Sequence, residues 1–174
     1  MCGFAGWFAT GSAEGPPPDA ARLAAATACL GHRGPDGEGT WTASDGSCGL
    51  GHRRLAVLAL EGGAQPMASP CGRWRIAFNG EIFNHQELRA DLEARGEVFR
   101  TRSDTEVLLR LVMRRGPAAV NLLRGQFAFA VHDAAERHLL LARDALGEKP
   151  LFTALSGGRL YFASTLDALL LLSG

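Results

Sequence analysis

Apolar and polar residues alternate along several short stretches of the chain, a pattern that predicts β-strands. In residues 73–79, Trp74, Ile76 and Phe78 alternate with Arg73, Arg75 and Ala77, which predicts a half-buried strand. Residues 125–133 and 138–143 predict two more strands, joined through residues 134–136. Further strands are predicted at Cys2–Ala9, Gly39–Ala43, Cys48–Arg53, Leu151–Leu155 and Arg159–Phe162, with hairpin turns at Asp45-Gly46 and Gly157-Gly158.

Four helices are predicted from composition and from residues that cap helix ends. The Ala- and Leu-rich segment Asp19–Leu30 is the first. Capping-box signatures begin the others: Asn84-x-x-Glu87 before His85–Arg95, Ser103-x-x-Glu106 before Asp104–Arg115, and Ser164-x-x-Asp167 before a short last helix. Val107, Leu108, Leu111 and Val112 form one apolar stripe. Breaker-rich loops are expected at Gly11–Pro18 and Gly31–Gly37. Antiparallel hairpins with a few helices indicate an α+β layered fold.

Length and charge narrow the class of protein. The 174 residues suit one domain with its own core. With 18 basic and 18 acidic residues, the formal net charge of zero argues against nucleic acid or an anionic membrane as a partner. No apolar run reaches the length of a membrane span and no secretory signal is visible, so we expect a cytoplasmic protein without disulfides. Cys29, Cys48 and Cys71 match no zinc-ligand spacing and are interpreted as core or surface filler.

Cys2 follows the initiator Met1 directly. If Met1 is removed, one residue carries both a thiol nucleophile and a free α-amine, which could accept the thiol proton. Free α-amines have pKa values of about 7.7–8.0, so a useful fraction is neutral near pH 7. The alternative is that Cys2 is a small buried hydrophobe. On the residue alone, this alternative is favoured.

Three other positions carry candidate chemistry. Asn79-Gly80 offers an amide side chain beside an exposed backbone N–H, a natural oxyanion hole, with the carboxylate of Glu81 next to it; a common strand-ending turn is the alternative. Arg53 and Arg54 would point to opposite faces of a strand, and an inward arginine could bind a substrate carboxylate or form a structural salt bridge. Asp104 could bind a substrate ammonium or simply complement its helix dipole. For the arginines and Asp104, the structural interpretation is favoured on local sequence alone.

Taken together, the motifs resemble those of the class II, or N-terminal nucleophile, glutamine amidotransferases, and most closely the glutaminase domain of glutamine-hydrolysing asparagine synthetases. They occur in the expected order over nearly the whole chain. The motifs are Met1-Cys2-Gly3, His32–Gly37, His52–Leu55, Gln65–Met67, Phe78–His85, Ser103–Glu106, Gly125–Ala130 and Arg143–Leu151.

The resemblance implies a four-layer αββα sandwich of two antiparallel sheets and assigns roles within it. Cys2 would attack the side-chain amide of glutamine through a thioester, and Asn79 and Gly80 would hold the oxyanion. Arg54 would bind the substrate α-carboxylate, while Glu81 and Asp104 would receive its α-ammonium. Backbone groups of Leu55, Ala56, Val57 and Leu58 would line the pocket. No metal or organic cofactor is implied for this half-reaction, and the loop Gly31–Gly37 is expected near the pocket.

The chain departs from this branch in one respect. Ser156-Gly157-Gly158 is followed by Arg159-Leu160, so the Ser-Gly-Gly-x-Asp-Ser loop of the family's ATP-dependent synthetase domain is absent. Residues 1–174 are therefore interpreted as a glutamine amidotransferase domain alone, with ATP and Mg²⁺ expected only in a partner synthetase domain that accepts the ammonia. Two alternatives stay open: a non-catalytic docking module, or the amidotransferase half of another class II enzyme. A homodimer also stays open. Removal of Met1 is expected because the Cys side chain is small.

Overall fold

The structure, a computed structural model, describes residues 1–11, 15–56 and 63–174. Its strands are β1 (Gly3–Ala9), β2 (Gly37–Thr42), β3 (Cys48–Arg54), β4 (Met67–Ala68), β5 (Trp74–Ile82), β6 (Gly125–Asp133), β7 (His138–Arg143), β8 (Phe152–Ser156) and β9 (Arg159–Ala163). Its α-helices are α1 (Ala20–Cys29), α2 (His85–Ala94), α3 (Asp104–Arg115) and α4 (Leu166–Ser173). Two 3₁₀ segments, Leu30–His32 and Gly116–Leu122, and the two-residue strand β4 were not predicted from the sequence.

The described strands form two antiparallel sheets that pack face to face. One has the order β2-β3-β1-β9-β8 and the other β4-β5-β6-β7. Helices α1 and α4 cover the outer face of the five-stranded sheet, around the buried residues Trp7, Leu23 and Leu169. Helices α2 and α3 cover the outer face of the four-stranded sheet. The predicted αββα sandwich is therefore confirmed.

Residues 76–79 of strand β5 are buried on both faces, so the prediction of a half-buried strand was wrong there. Ile76 and Phe78 pack in the core against α3, as the alternation predicted. Ala77 lies on the opposite face, where it packs between the sheets with Ala128 and Phe4. The alternation in the sequence therefore sorts the side chains of β5 into two cores, one against α3 and one against the five-stranded sheet. The residue that faces the five-stranded sheet is small because the two sheets pack closely there.

Most predicted element boundaries lie within two residues of the observed ones, and the differences at β5, α2 and α4 are of another kind. Strand β5 continues through Asn79 to Ile82. Asn84 does not cap α2, because its amide side chain donates to Leu122 O at 3.0 Å and accepts from Arg124 N at 2.9 Å. Helix α4 is capped by Thr165, the residue after the predicted Ser164.

At α3 only half of the predicted capping box forms. The hydroxyl of Ser103 accepts from Thr105 N at 3.1 Å, as predicted. Glu106 does not reach back to Ser103, since its carboxylate accepts from the backbone N–H groups of Arg100 and Thr101. Glu106 therefore organises the loop that leads into α3.

Strand β1 has a neighbour on each side, which fixes the position of Cys2. It pairs with β3, where Phe4 faces His52, and with β9, where Phe8 faces Leu160. Ser164 Oγ accepts from Phe4 N at 3.0 Å and ties the start of β1 to the end of β9. Cys2 therefore lies at the end of a central strand, on a rigid support. Within the described ranges, no helix is both long and apolar enough to cross a membrane.

Candidate active site

A cavity of about 210 Å³ opens where the start of β1, the end of β3, the end of β5 and the first residues of α3 meet. These segments are far apart in sequence, and the antiparallel pairing of the sheets brings them to one end of the sandwich. Most of the predicted site residues line this one cavity: Cys2, Arg54, Leu55, Asn79, Gly80, Glu81 and Asp104.

The thiol of Cys2 is half-buried and contacts the backbone beyond β3. Leu55 N donates to Cys2 Sγ at 3.3 Å, and the thiol in turn lies 3.6 Å from Leu55 O. Arg33 Nε donates to Cys2 O at 3.0 Å, which places the predicted loop Gly31–Gly37 directly beside the predicted nucleophile. Met1 precedes Cys2, is 57% exposed and also lines the cavity. In this form of the chain, the Cys2 nitrogen is a peptide nitrogen and carries no basic lone pair.

Asn79 offers a free donor to the cavity. Its side chain is only 1% exposed, and among the described residues its Nδ2 has no hydrogen-bond partner. A buried amide N–H without a partner costs free energy, and native proteins tolerate such a group where a ligand or reacting atom supplies the acceptor. The donor expected for an oxyanion hole is therefore present and unused.

Gly80 must be glycine at this position. Its φ of +152° is one that residues with side chains rarely adopt, and a Cβ would lie 2.1 Å from Gln126 O on the neighbouring strand. The backbone of Gly80 therefore forms the cavity wall itself, next to Asn79. A substrate atom can approach this peptide more closely than it could approach a residue with a side chain.

Two carboxylates, Glu81 and Asp104, line the cavity together. Asp104 is the first residue of α3, and its Oδ2 accepts from Ile82 N at 3.2 Å. Burial raises the pKa of Asp104 above its usual value, and the charge of Glu81 adds to this, despite opposing bonds from Ile82 and Thr105. A buried carboxylate beside a second carboxylate is complementary to a cation.

Arg53 and Arg54 point to opposite sides of β3, as predicted. Arg53 Nε donates to Gly34 O at 3.0 Å and its guanidinium pairs with Glu38. Arg53 therefore forms a structural salt bridge, the alternative to binding a substrate carboxylate. Arg54 lines the cavity. The cavity thus has one cationic wall and one anionic wall.

The predicted backbone lining is found only in part. Leu55 lines the cavity, whereas Ala56 does not: its N–H is donated to Asp36 Oδ2 at 2.8 Å. Val57 and Leu58 lie outside the described residues.

His52 joins the two sheets beside the cavity. Its Nε2 donates across the interface to Phe78 O at 2.9 Å, one residue before Asn79. Burial lowers the pKa of His52 to about 4; the bond to Phe78 opposes this shift and the charge of Arg54 adds to it. His52 is therefore neutral near pH 7, and it fixes the end of β5 relative to β3.

Gln65 and Lys149 are among the cavity residues that were not assigned a role from the sequence, although both lie in the motifs of the resemblance. Gln65 Oε1 accepts from Phe78 N at 2.7 Å and its Nε2 lies 3.4 Å from Thr105 Oγ1, so it links β5 to α3. Lys149 is buried and reaches the cavity from the turn after β7. Their presence in ordered motifs was the available signal, but burial could not be read from the motif alone.

The arrangement defines a class of site: a thiol nucleophile, an unused amide donor, and two opposite charged walls suited to the carboxylate and ammonium of an amino acid. Such a set carries out acyl transfer. In the part of the chain that is described, no three His, Cys, Asp or Glu side chains come together in a way that could hold a metal ion. The expectation that no cofactor is needed stays a prediction.

Comparison with known proteins identifies the family. Residues 1–174 match the family model of the glutamine amidotransferase domain. An asparagine synthetase (glutamine-hydrolysing) from Bacillus subtilis is 38% identical over 170 residues, which cover 98% of this chain and 27% of that protein. Asparagine synthetase B from Escherichia coli is 43% identical over 139 residues, 79% of this chain and 24% of that protein. The chain belongs to the glutamine amidotransferase family, as the motifs predicted.

Solved structures share the fold. The glutamine phosphoribosylpyrophosphate amidotransferase of B. subtilis superposes with a TM-score of 0.80 at 24% identity, covering 98% of this chain and 43% of that one. A structure described as the allosteric regulatory enzyme of purine biosynthesis gives a TM-score of 0.77 at 25% identity, again covering 98% and 43% of the two chains. The chain thus spans about a quarter of its curated relatives and less than half of these structural neighbours.

Proposed function

We propose that this chain hydrolyses the side-chain amide of glutamine through a thioester on Cys2 and supplies the ammonia for asparagine or a related amide. The observation that carries the proposal is the cavity itself. It combines the Cys2 thiol, the unpartnered Nδ2 of Asn79, a cationic wall and an anionic wall. Family membership and similarity to proteins named as glutamine-hydrolysing asparagine synthetases support the same substrate.

Binding would use the two charged walls. The substrate carboxylate would pair with Arg54, for which the planar guanidinium is well suited. The substrate ammonium would lie between Glu81 and Asp104, where a positive charge relieves the repulsion between the two carboxylates. The amide end of the substrate would then extend toward Cys2 and Asn79.

The reaction would proceed in two acyl transfers. The α-amine of Cys2, freed by removal of Met1, accepts the thiol proton while Sγ bonds to the amide carbon of glutamine. Asn79 Nδ2 and the Gly80 N–H donate to the oxyanion of the tetrahedral intermediate. The C–N bond breaks as the amine returns the proton to nitrogen, and ammonia leaves. Water then adds to the thioester through the same groups, and collapse releases glutamate and restores the thiol.

The ammonia acceptor would be a synthetase domain or subunit. The curated relatives are about four times longer than the region that matches this chain, and they are named as asparagine synthetases. A cytoplasmic location is part of the proposal, and the four free cysteines are consistent with a reducing compartment. ATP and Mg²⁺ belong to that partner in this proposal.

The test is release of glutamate from glutamine by protein whose N-terminus is confirmed as Cys2 by mass spectrometry. Cys2→Ser should reduce the rate to background, whereas Cys71→Ser, which changes an exposed thiol, should keep it. Since an ammonia-accepting partner can influence the rate, the assay is run with and without an asparagine synthetase domain.

Two outcomes would contradict the proposal. Processed wild-type protein that releases no glutamate in either assay would favour the non-catalytic docking module. Hydrolysis that survives Cys2→Ser would remove the nucleophile from the mechanism. Protein that retains Met1 serves as an internal control and should be inactive, because its Cys2 nitrogen is an amide.

A further inference from the structure

Lys149 is the single lysine of the chain, and its side chain is buried in the cavity. It is 8% exposed and lines the same cavity as Cys2, Asn79 and Glu81. Lysine is among the residues most rarely buried, and its burial normally requires a partner. The position therefore needs an explanation.

A rigid turn holds Lys149 in place. The carboxylate of Asp144 accepts the N–H groups of Phe127 at 3.2 Å, Glu148 at 2.9 Å and Lys149 at 3.0 Å. Burial raises the pKa of Asp144, but these bonds outweigh it and the pKa is lowered overall. Gly147, with φ of +69°, closes the turn by donating to Asp144 O. The backbone of Lys149 is thus fixed relative to β6.

Among the described residues, the ammonium of Lys149 has only a weak acceptor. Its Nζ contacts Met1 Sδ at 3.5 Å, and no carboxylate of the described residues lies within ion-pair distance. A thioether is a poor hydrogen-bond acceptor and does not compensate for a buried charge. The contact exists only while Met1 is attached, so processing removes even this partner.

We propose that Lys149 is a positioning residue for the nucleophile: once Met1 is removed, its ammonium faces the new α-amine of Cys2 and favours the neutral amine that accepts the thiol proton. This inference rests on the proposed function. Excision removes the residue that Lys149 contacts, and leaves its ammonium and the new amine in one cavity. A positive charge close by disfavours protonation of an amine.

Other charged groups also lie near the amine, and their effects have to be separated from that of Lys149. The cavity also carries Arg54, Glu81 and Asp104, while Arg33 donates to the Cys2 carbonyl and His52 lies behind Phe78. In the complex, Glu81 and Asp104 pair with the substrate ammonium and Arg54 with its carboxylate. Of the described residues, Lys149 and Arg33 are then the positive charges left beside Cys2. The charge of Arg33 is the same in the wild type and in every Lys149 variant, so comparing them isolates the effect of Lys149.

The experiment compares processed wild type, Lys149→Met and Lys149→Arg. Selective ¹⁵N-cysteine labelling allows the Cys2 α-amine to be titrated directly by NMR, independently of glutaminase activity. We expect the Met variant to raise the titration midpoint by about one pH unit, a tenfold change in the ratio of neutral to charged amine. The acid limb of the kcat/KM profile for glutamine should move upward by the same amount, with KM at the pH optimum changed by less than about twofold. Lys149→Arg should restore both readouts.

Controls separate the charge from the turn. Arg143→Met removes a cation from the same turn, where its exposed side chain donates to Gly147 O at 3.0 Å outside the cavity, and should leave the midpoint unchanged. If Lys149→Met folds poorly, Lys149→Gln replaces it. Equal midpoints in the wild type and in the Met or Gln variant would overturn the inference while glutamine hydrolysis stands. A wild type that hydrolyses no glutamine would overturn the proposed function, whereas the amine titration would still decide the role of Lys149.

Discussion

His52 Nε2 lies 2.9 Å from the carbonyl oxygen of Phe78, and this hydrogen bond joins the two sheets one residue before Asn79. The bond requires a proton on Nε2, because a carbonyl oxygen can only accept. Within the described part of the chain, Nδ1 has no partner, so nothing compensates for a second proton. Burial therefore keeps the ring neutral, and its Nε2–H holds β5 against β3 beside the cavity.

This gives a prediction for stability against pH. The pKa of His52 is lowered to about 4 in the folded chain, below its ordinary value of 6.5. Between these two pKa values, His52 binds a proton in the unfolded chain but not in the folded chain. The free energy of unfolding should therefore be unaffected by His52 above pH 6.5 and should fall by up to about 3 kcal/mol as the pH falls toward 4. His52→Gln, which keeps an amide donor, should flatten this part of the curve. The free energy of unfolding from urea titrations between pH 4 and 8 measures it.

Buried His132 provides a control for the predicted loss of stability in acid. Burial also lowers the pKa of His132, but its ring lies between Phe8 and Trp41, and neither ring nitrogen has a hydrogen-bond partner among the described residues. His132→Gln should remove the part of the stability loss in acid that comes from His132, separately from His52, and should leave glutamine hydrolysis unchanged. If the free energy of unfolding falls with pH by the same amount in the wild type and in His52→Gln, His52 is already protonated or already exposed, contrary to the structure.

Asn79→Ala should reduce kcat by about 10²- to 10³-fold and change KM little, because the amide donates to charge that develops only in the transition state. The matched control is Asn84→Ala in the same Asn-Gly-Glu-Ile-Phe-Asn motif. Asn84 bonds to Leu122 and Arg124, outside the cavity, so its loss should cost about 1 kcal/mol of stability and leave kcat unchanged. Steady-state kinetics decide, and equal kcat values for the two variants would remove Asn79 from the oxyanion site.

Gly80→Ala should destabilise the fold by about 2 kcal/mol or more and abolish activity. The added Cβ would meet Gln126 O at 2.1 Å, and φ is +152°. Gly72→Ala separates the two causes, because Gly72 has φ of +74° with open space around the added Cβ. Its cost should be about 1 kcal/mol, with activity retained. If urea unfolding shows the same loss in free energy of unfolding for the two variants, the close approach of the added Cβ to Gln126 does not contribute to the destabilisation.

Asp104→Asn should stabilise the fold at pH 7 and raise KM for glutamine. Since the folded-state pKa of Asp104 is raised, its ionised form costs folding free energy, and this cost disappears as the pH falls through that pKa. The advantage of the variant in melting temperature should therefore be largest near neutrality and shrink in acid. The substrate ammonium loses a carboxylate, so binding weakens.

Glu106→Gln is the contrast on the same helix. Glu106 accepts from the N–H groups of Arg100 and Thr101, and removing its charge should cost about 1–3 kcal/mol while KM stays unchanged. A destabilised Asp104→Asn, or one with wild-type KM, would contradict the interpretation of Asp104 as a cation-binding carboxylate.

The sequence predicted the main strands and helices well, because most of them show a local apolar pattern. It predicted poorly what depends on the second sheet. The two-sided burial of β5 arises because Ala77 packs against another layer, and no pattern within residues 74–82 indicates that layer. Asn84 failed as a cap for a similar reason: residues 122–124 compete for its side chain.

The candidate site was predictable as a set rather than residue by residue. Locally, Arg54 and Asp104 were better explained as structural, and only the ordered motifs favoured a shared pocket. The structure places both in the cavity with Cys2. Lys149 received no role, because its burial depends on the turn organised by Asp144, which spacing alone does not reveal.

The pairing of β1 also constrains how the protein is made. Phe8 pairs with Leu160 and Phe4 is bound by Ser164, so the strand that bears the nucleophile lacks one of its two neighbours until β9 has left the ribosome. Contacts between residues so distant in sequence form late in folding. The amino terminus, with Met1 and Cys2, therefore lacks this support until residues 159–164 are available to pair. Any removal of Met1 during synthesis would thus act on an amino terminus that the fold does not yet enclose.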